Sequence, residues 1–116
     1  MKKIVSLFVI MMMLTACGSR YQTIDSNKAI ELIDNGAIII DVRTQEEFNE
    51  SHIAGAINIP LDEIDTIEYD MNDTLIIYCA TGMRSVEAIK QLIDMGYTSL
   101  YNLDGGLLNW GFELEE

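Results

Sequence analysis

The sequence has little positive charge. Seven Lys and Arg residues stand against 19 Asp and Glu residues, which gives a formal net charge of −12 and an isoelectric point near 4.2. Surfaces that bind phosphate backbones or anionic headgroups carry an excess of positive charge. The composition therefore argues against a nucleic-acid partner.

Proline, histidine and cysteine are also scarce. With 49% apolar residues, a single proline indicates an ordered, packed domain and not a disordered acidic tail. Two cysteines are too few for a disulfide scaffold. One histidine and one free cysteine cannot supply the three or four ligands of a metal site, so we expect no metal and no other cofactor. At 116 residues and 13.1 kDa, the chain has room for one small domain.

The first residues form a candidate export signal. Two lysines precede an uncharged, mostly apolar run from Ile4 to Leu14, which has the length of a signal-peptide hydrophobic region. This run is too short for a bilayer core of about 30 Å. It leads into Leu14-Thr15-Ala16-Cys17, which resembles the lipobox of bacterial lipoproteins. We therefore predict that residues 1–16 are removed and that Cys17 is diacylated; an ordinary secretory signal and an uncleaved anchor are alternatives that still export the chain.

The lipoprotein interpretation predicts an extracytoplasmic protein in a bacterial cell envelope. Residues 17–20 form a tether that reaches roughly 10–15 Å, at about 3.5 Å per residue, and residues 21–116 form the domain. Five basic and 19 acidic residues remain after cleavage, so the formal charge becomes −14. We expect an acidic, monomeric domain held close to a membrane by its lipid.

Apolar runs alternate with helical patterns along the domain. Ala37–Val42 and Thr74–Cys79 are rich in β-branched residues, as expected for parallel strands that are buried on both faces. Tyr21–Ile24, Ala56–Ile59 and Ser99–Leu103 are shorter strand candidates. The alternation predicts an α/β fold with a parallel sheet between helical layers, and ligands beyond the carboxyl ends of its strands.

Capping residues mark the ends of the predicted helices. Ser26 is the predicted N-cap of a helix over Asn27–Asn35. Thr44 and Glu47 have the spacing of a capping box. A third helix is predicted over Ser85–Met95, where apolar residues recur on one face.

Cys79 stands between a predicted strand end and a predicted helix start. A helix N-terminus offers unpaired N–H groups and partial positive charge, which stabilise a thiolate. Gly82 allows backbone conformations in which successive N–H groups form a concave anion-binding nest, and Arg84 adds a cation. From these residues alone, a buried inert cysteine is also an open interpretation.

The segment Cys79–Ser85 resembles the active-site loop of rhodaneses, in which a cysteine, four residues and an arginine precede a helix. Further matching motifs follow the order of that family: Asp41-Val42-Arg43, Glu47-Phe48, His52 through Pro60, Gly96-Tyr97, Asn102 through Gly106, and Trp110. The resemblance implies a three-layer α/β/α domain with a five-stranded parallel sheet.

The resemblance also implies sulfur transfer. Cys79 would attack the sulfane sulfur of a donor, hold it as a persulfide and pass it to a thiol or cyanide; a thioredoxin-like protein is one candidate acceptor. The loop is neutral at three positions where many family members carry a second basic residue, so thiosulfate, polysulfide and persulfide all remain candidate donors. The expected substrate-binding loop consists of Ala80, Thr81, Gly82, Met83, Arg84 and Ser85.

Three further residues are expected to support the loop. Asp41 and Arg43 match a family motif at the end of the second strand, where Asp41 would brace the loop or pair with Arg84. His52 matches a residue that precedes a tight glycine turn, so we expect a structural role and treat proton transfer as the alternative.

Two other functions are compatible with parts of the pattern. A Cys-dependent phosphatase shares the thiolate, the nest and the arginine, but its loop places five residues between Cys and Arg, whereas four separate Cys79 from Arg84. A catalytically silent rhodanese-like module that binds a partner is the other alternative, although such modules usually lack the cysteine.

Overall fold

The computed structural model describes residues 20–116, so Cys17 and the predicted signal peptide lie outside the described residues. The strands are β1 (Tyr21–Ile24), β2 (Ile38–Asp41), β3 (His52–Ile53), β4 (Ile57–Asn58), β5 (Thr74–Tyr78), β6 (Ser99–Leu103) and β7 (Leu114–Glu115). The helices are α1 (Ser26–Asp34), α2 (Gln45–Glu50) and α3 (Met83–Met95), with two 3₁₀ helices at Leu61–Thr66 and Gly106–Asn109. No helix in this part of the chain is long and apolar enough to cross a membrane.

Five strands form a parallel sheet in the order β1-β6-β5-β2-β4, which confirms the predicted fold. β3 and β7 pair separately and antiparallel. The two longest predicted runs occupy the centre of the sheet as β2 and β5. Because the chain returns to the sheet in the same direction each time, the carboxyl ends of β2, β5 and β6 lie at one edge.

The sheet is buried on both faces. Ile40 and Ile77 face a core shared with α3 and the first 3₁₀ helix, whereas Ile39 and Ile76 face a core shared with α1. Successive side chains of a strand point to opposite faces, so a strand between two apolar layers needs apolar residues at every position. This requirement accounts for the continuous apolar runs in the sequence.

Two helix starts differ from the predictions. The N-cap of α1 is Asp25, whose carboxylate accepts a 2.8 Å hydrogen bond from the N–H of Lys28. Ser26 is the first helical residue, and its hydroxyl accepts from the N–H of Gly111 at 3.2 Å. The predicted cap was wrong by one residue because adjacent Asp and Ser side chains are both good caps and the contact with Gly111 is not local.

The start of α3 is the second difference. α3 begins at Met83, two residues before the predicted Ser85, because Gly82 adopts a left-handed conformation with φ of +113° and turns the chain directly into the helix. Arg84 and Ser85 therefore lie in the first turn of α3 and not in the preceding loop. The capping box at α2 is present as predicted, with the Thr44 hydroxyl accepting from the N–H of Glu47.

Candidate active site

Cys79 directly follows β5 at the carboxyl edge of the sheet and is almost fully buried. Its Sγ accepts a 3.0 Å hydrogen bond from the N–H of Gly82 and lies 3.7 Å from Ser85 Oγ. The left-handed turn at Gly82 folds the loop around the sulfur. The predicted nest is therefore present as a set of backbone and side-chain groups that converge on one thiol.

The surroundings of Cys79 favour the thiolate. Burial raises the pKa of the thiol, but the hydrogen bonds that a thiolate would accept from the backbone and hydroxyl of Ser85 and from the backbones of Gly82 and Thr81 lower it by more. The net result is a pKa below the ordinary value. Since the thiolate is the nucleophilic form of cysteine, the loop prepares Cys79 for attack on an electrophilic atom.

Arg84 is paired with Glu47, a contact that the sequence analysis did not predict. Arg84 Nη1 and Nη2 donate to Glu47 Oε1 and Oε2 at 2.8 and 3.0 Å. The hydrogen bond from Arg84 is the largest cause that lowers the pKa of Glu47 to about 2. Both side chains are about one third exposed. The guanidinium of Arg84 is thus held by a carboxylate and still open to solvent.

Glu47 joins two structures at once. Its Oε1 accepts from the N–H of Thr44 at 3.2 Å, which completes the capping box at the start of α2. The same side chain reaches Arg84 in the first turn of α3. The capping box was a local signal in the sequence, but nothing in the 37-residue separation from Arg84 pointed to the second contact.

Asp41 pairs with Arg43 and not with Arg84, so that suggested partner for Asp41 was wrong. Arg43 Nη2 donates to Asp41 Oδ2 at 2.7 Å, and the backbone N–H of Arg43 donates to Oδ1 at 2.9 Å. Arg43 also donates to the carbonyl of Ser51 at 2.7 Å. Asp41 is fully buried. Because Arg43 bonds to Asp41 and to Ser51 at the same time, the pair fixes the end of β2 to the segment that leads into β3.

The link from Asp41 to the reactive loop passes through β5. Val42 donates its N–H to the carbonyl of Tyr78 at 3.0 Å, and Tyr78 directly precedes Cys79. The hydroxyl of Tyr78 accepts from the N–H of Ile53 at 3.1 Å. Asp41 and Arg43 thus hold the strands from which the loop leaves, without touching the thiol.

His52 lies away from the hydrogen bonds of the loop. Its Nδ1 is 2.8 Å from the carbonyl of Phe48, and its ring stacks on that of Phe48 at 3.6 Å between centroids. Within residues 20–116, no hydrogen bond, ion pair or ring contact connects His52 to Cys79–Ser85. These contacts support the structural role that was expected.

The second 3₁₀ helix closes the site from the other side. Leu107 and Leu108 donate their N–H groups to the carbonyls of Cys79 and Ala80 at 2.8 and 3.3 Å. A Cβ on Gly106 would lie 2.3 Å from the carbonyl oxygen of Cys79, so only glycine allows this approach. Gly106 therefore allows the 3₁₀ helix to approach and hold the loop backbone, a function that the sequence alone did not show.

The remaining loop side chains face outward. Thr81 and Met83 are exposed, with Met83 at 82%.

A cavity of about 350 Å³ opens next to Arg84, between the end of β2 and the first 3₁₀ helix, with Asp62 and Asp65 in its lining. In the described part of the chain, no three His, Cys, Asp or Glu side chains are grouped as a metal site.

Comparisons with known proteins identify relatives of this chain. The family model described as "Rhodanese-like domain" matches residues 25–113. Thiosulfate sulfurtransferase PspE of Escherichia coli (strain K12) is 44% identical over 70 residues, which cover 57% of this chain and 67% of that protein. Rhodanese-like domain-containing protein 17 of Arabidopsis thaliana is 33% identical over 105 residues, 76% of this chain and 67% of the relative. The human single domain sulfurtransferase TSTD1 superposes with a TM-score of 0.72 at 27% identity, over 80% of this chain and 96% of that one.

Proposed function

Since this chain belongs to the rhodanese-like domain family, we propose that it is a sulfurtransferase that carries sulfane sulfur as a persulfide on Cys79. The observation that carries the proposal is the thiol itself, buried at a strand end and held by the N–H of Gly82 at 3.0 Å, with a lowered pKa. A silent binding module has no need for such a thiol. Relatives named thiosulfate sulfurtransferase support the same reaction class.

The first half-reaction loads the sulfur. The Cys79 thiolate attacks the terminal sulfur of the donor and forms a new S–S bond. The bond between that sulfur and the rest of the donor breaks, and its electron pair leaves with the departing group, which is sulfite for thiosulfate or a thiolate for a persulfide. Cys79 then carries a persulfide with one negative charge on its outer sulfur.

The loop stabilises the charge of each state. Backbone N–H groups at Thr81, Gly82 and Ser85 are directed at the sulfur, and preorganised donors of this kind stabilise anions without reorganisation during the reaction. Arg84 adds the cation nearest to the loop, although Glu47 neutralises much of its charge. Because Ala80, Thr81 and Met83 are neutral, a dianionic donor receives help from Arg84 and the backbone N–H groups alone among the groups of this loop.

The second half-reaction unloads the sulfur. A thiolate or cyanide attacks the outer sulfur, the S–S bond to Cys79 breaks, and its electron pair returns to Cys79 as the thiolate. Besides Cys79 the sequence contains only Cys17. If Cys17 is lipidated, no internal thiol can resolve the persulfide, so the acceptor is external; a thioredoxin-like protein is one such candidate.

The test is mass spectrometry of the purified protein after incubation with thiosulfate, polysulfide and a low-molecular-weight persulfide in turn. We expect a gain of one sulfur, about 32 Da, in the parent and none in Cys79→Ser, because only a thiolate can form the bond. The gain should disappear on addition of cyanide or a thiol. An equal gain in both proteins, or none with any donor, would contradict the proposal.

We also propose that the protein is a lipoprotein anchored through Cys17 on the outer side of a bacterial membrane, with its domain close to the surface. The support is the sequence Leu14-Thr15-Ala16-Cys17 behind an apolar run of suitable length. A diacylated N-terminus supplies two chains, enough for stable anchoring. Cys17→Ser should lose lipid labelling and leave the membrane fraction, with Cys79→Ser as the matched control. Unchanged labelling and fractionation of Cys17→Ser would overturn the proposal.

A further inference from the structure

A short row of hydrogen bonds leads from the reactive thiol into the sheet. Cys79 Sγ lies 3.7 Å from Ser85 Oγ, and the Ser85 hydroxyl donates to Asn102 Oδ1 at 2.6 Å. Ser85 is fully buried, and Asn102 is 6% exposed. The three residues come from the loop after β5, the first turn of α3 and strand β6. Burial leaves water little opportunity to compete for the Ser85 hydroxyl.

The direction of this hydroxyl depends on the charge of Cys79. A serine hydroxyl has one proton and two lone pairs. In the structure, the proton points to Asn102 and a lone pair faces Cys79, whose S–H donates to it. This arrangement suits the neutral thiol. A thiolate only accepts, so the Ser85 hydroxyl can bond to it only when its proton turns toward the sulfur.

The side-chain amide of Asn102 can bond to Ser85 in either orientation of the Ser85 hydroxyl. Its amide accepts at Oδ1 and donates at Nδ2, and the two ends have nearly the same shape. Within the described part of the chain, Nδ2 makes no hydrogen bond, so a turn of the amide by about 180° breaks no second contact. After that turn, Asn102 donates to Ser85 and Ser85 donates to the thiolate. The Ser85 hydroxyl then has a hydrogen-bond partner on both sides in each state.

We propose that Asn102 is a positioning residue that sets the direction of the Ser85 proton and thereby controls the ionisation of Cys79. The inference rests on the proposed function, since the thiolate is the form that takes up sulfur. Among the hydrogen bonds of residues 20–116, none joins Asn102 to the sulfur. Its effect passes through Ser85.

Other charges around Cys79 are already paired. Arg84 on α3 is bound to Glu47, and Asp41 on β2 is bound to Arg43. Strands β5 and β6 and the 3₁₀ helix Gly106–Asn109 carry no charged residue. In the described structure, the neutral row of Cys79, Ser85 and Asn102 is therefore the part next to the thiol whose hydrogen bonds can reverse direction.

The test measures the pH dependence of Cys79 alkylation in the full chain, quantified by mass spectrometry of the peptide that contains Cys79. In Asn102→Asp the carboxylate only accepts and holds the Ser85 proton away from the sulfur, so the midpoint should rise by about one pH unit, a tenfold change in ionisation. In Asn102→Leu, of similar size, no acceptor competes for the proton, so the midpoint should stay at or below that of the parent. A role in packing alone would move both variants in the same direction, and a rise in both overturns the proposal.

A double-mutant cycle distinguishes the effect of the new negative charge in Asn102→Asp from the effect of its hydrogen bond to Ser85. In the Ser85→Ala background no hydroxyl proton is left to hold, so the Asn102→Asp shift should be smaller than in the parent. An equal shift in both backgrounds would mean that the charge acts directly and that the row has no part in it. Thermal unfolding of each variant shows whether the fold persists; if the Asp variant does not fold, a rise of the midpoint in the Leu variant still overturns the proposal.

Alkylation does not depend on sulfur transfer, so the two hypotheses fail separately. If the pattern of midpoints holds but no donor adds sulfur to Cys79, the proposed function is wrong and the positioning role stands. If the persulfide forms normally but the Asp and Leu variants shift alike, the positioning role is wrong and the proposed function stands.

Discussion

Two carboxylate–guanidinium pairs lie near the carboxyl ends of β2 and β5, and they differ in burial. The side chains of Asp41 and Arg43 are 0% and 6% exposed, whereas those of Glu47 and Arg84 are 34% and 38% exposed. In the buried pair, Arg43 also donates to the carbonyl of Ser51. The exposed pair borders the loop around the thiol. The same chemical contact is therefore enclosed in the fold in one place and open to solvent beside the thiol in the other.

The largest expected effect comes from removing one partner of the buried pair. Asp41→Asn keeps the shape but leaves Arg43 buried without a counter-charge, which should lower the free energy of unfolding by about 3–5 kcal/mol. Urea denaturation measures the change. The double variant Asp41→Asn/Arg43→Met removes both charges and should recover much of the loss. If Asp41→Asn lowers the free energy of unfolding by less than about 1 kcal/mol, the buried pair contributes no more to stability than an exposed pair does.

The exposed pair should respond in activity and not in stability. Glu47→Gln preserves the capping box, since Gln also serves at that position, and should change the free energy of unfolding by less than about 1 kcal/mol. With Arg84 no longer neutralised, kcat/KM for thiosulfate should rise about two- to fivefold, mainly through KM. Steady-state kinetics with thiosulfate and with a neutral persulfide donor measure this, and the neutral donor should change little.

The neighbouring Glu46 offers a matched control for Glu47. It lies on the same helix, is exposed, and makes no ion pair among residues 20–116. Glu46→Gln removes the same charge without freeing Arg84, so thiosulfate kinetics should stay close to those of the parent. Equal gains in both variants would assign the effect to overall charge, and a fall in Glu47→Gln would mean that Glu47 orients Arg84 for the donor.

The sequence predicted those parts of the molecule that depend on local pattern. The β-branched runs gave the central strands, because a strand between two apolar layers has no polar position to interrupt it. The bounds of β1 and β6 agree with the predicted ones, and the Thr44–Glu47 capping box is present. Cys79 lies between a strand end and a helix start, as its neighbours indicated.

Contacts between distant segments were not predictable in the same way. Asp41 had arginines available at two positions, and only the geometry of the strand end decides that Arg43 is the partner. Glu47 has the spacing of a capping residue, which already explains it locally, so its contact with Arg84 has no separate sequence signal. Asn102 reaches Ser85 only because β6 pairs with β5 in this register. These contacts depend on how distant segments pack against each other, which the spacing of residues along the chain does not predict.

The smallest expected effect concerns the balance between the electrostatic repulsion of a donor anion by the whole domain and its attraction by Arg84. A domain of formal charge −14 over residues 20–116 repels a dianion such as thiosulfate at long range, while Arg84 and the nest attract it only nearby. Raising the ionic strength from about 0.01 to 0.15 M shortens the screening length from about 30 to 8 Å, so the long-range repulsion weakens more than the close attraction. We therefore expect kcat/KM for thiosulfate to rise with salt and that for a neutral persulfide to change little. Arg84→Ala should lose most thiosulfate activity and keep the upward slope, because the long-range field of the domain remains repulsive. Kinetics at several salt concentrations decide between the two fields: a rate that falls with salt in the parent would show that the site's positive potential dominates, and thiosulfate would then be a better donor than the neutral loop predicts.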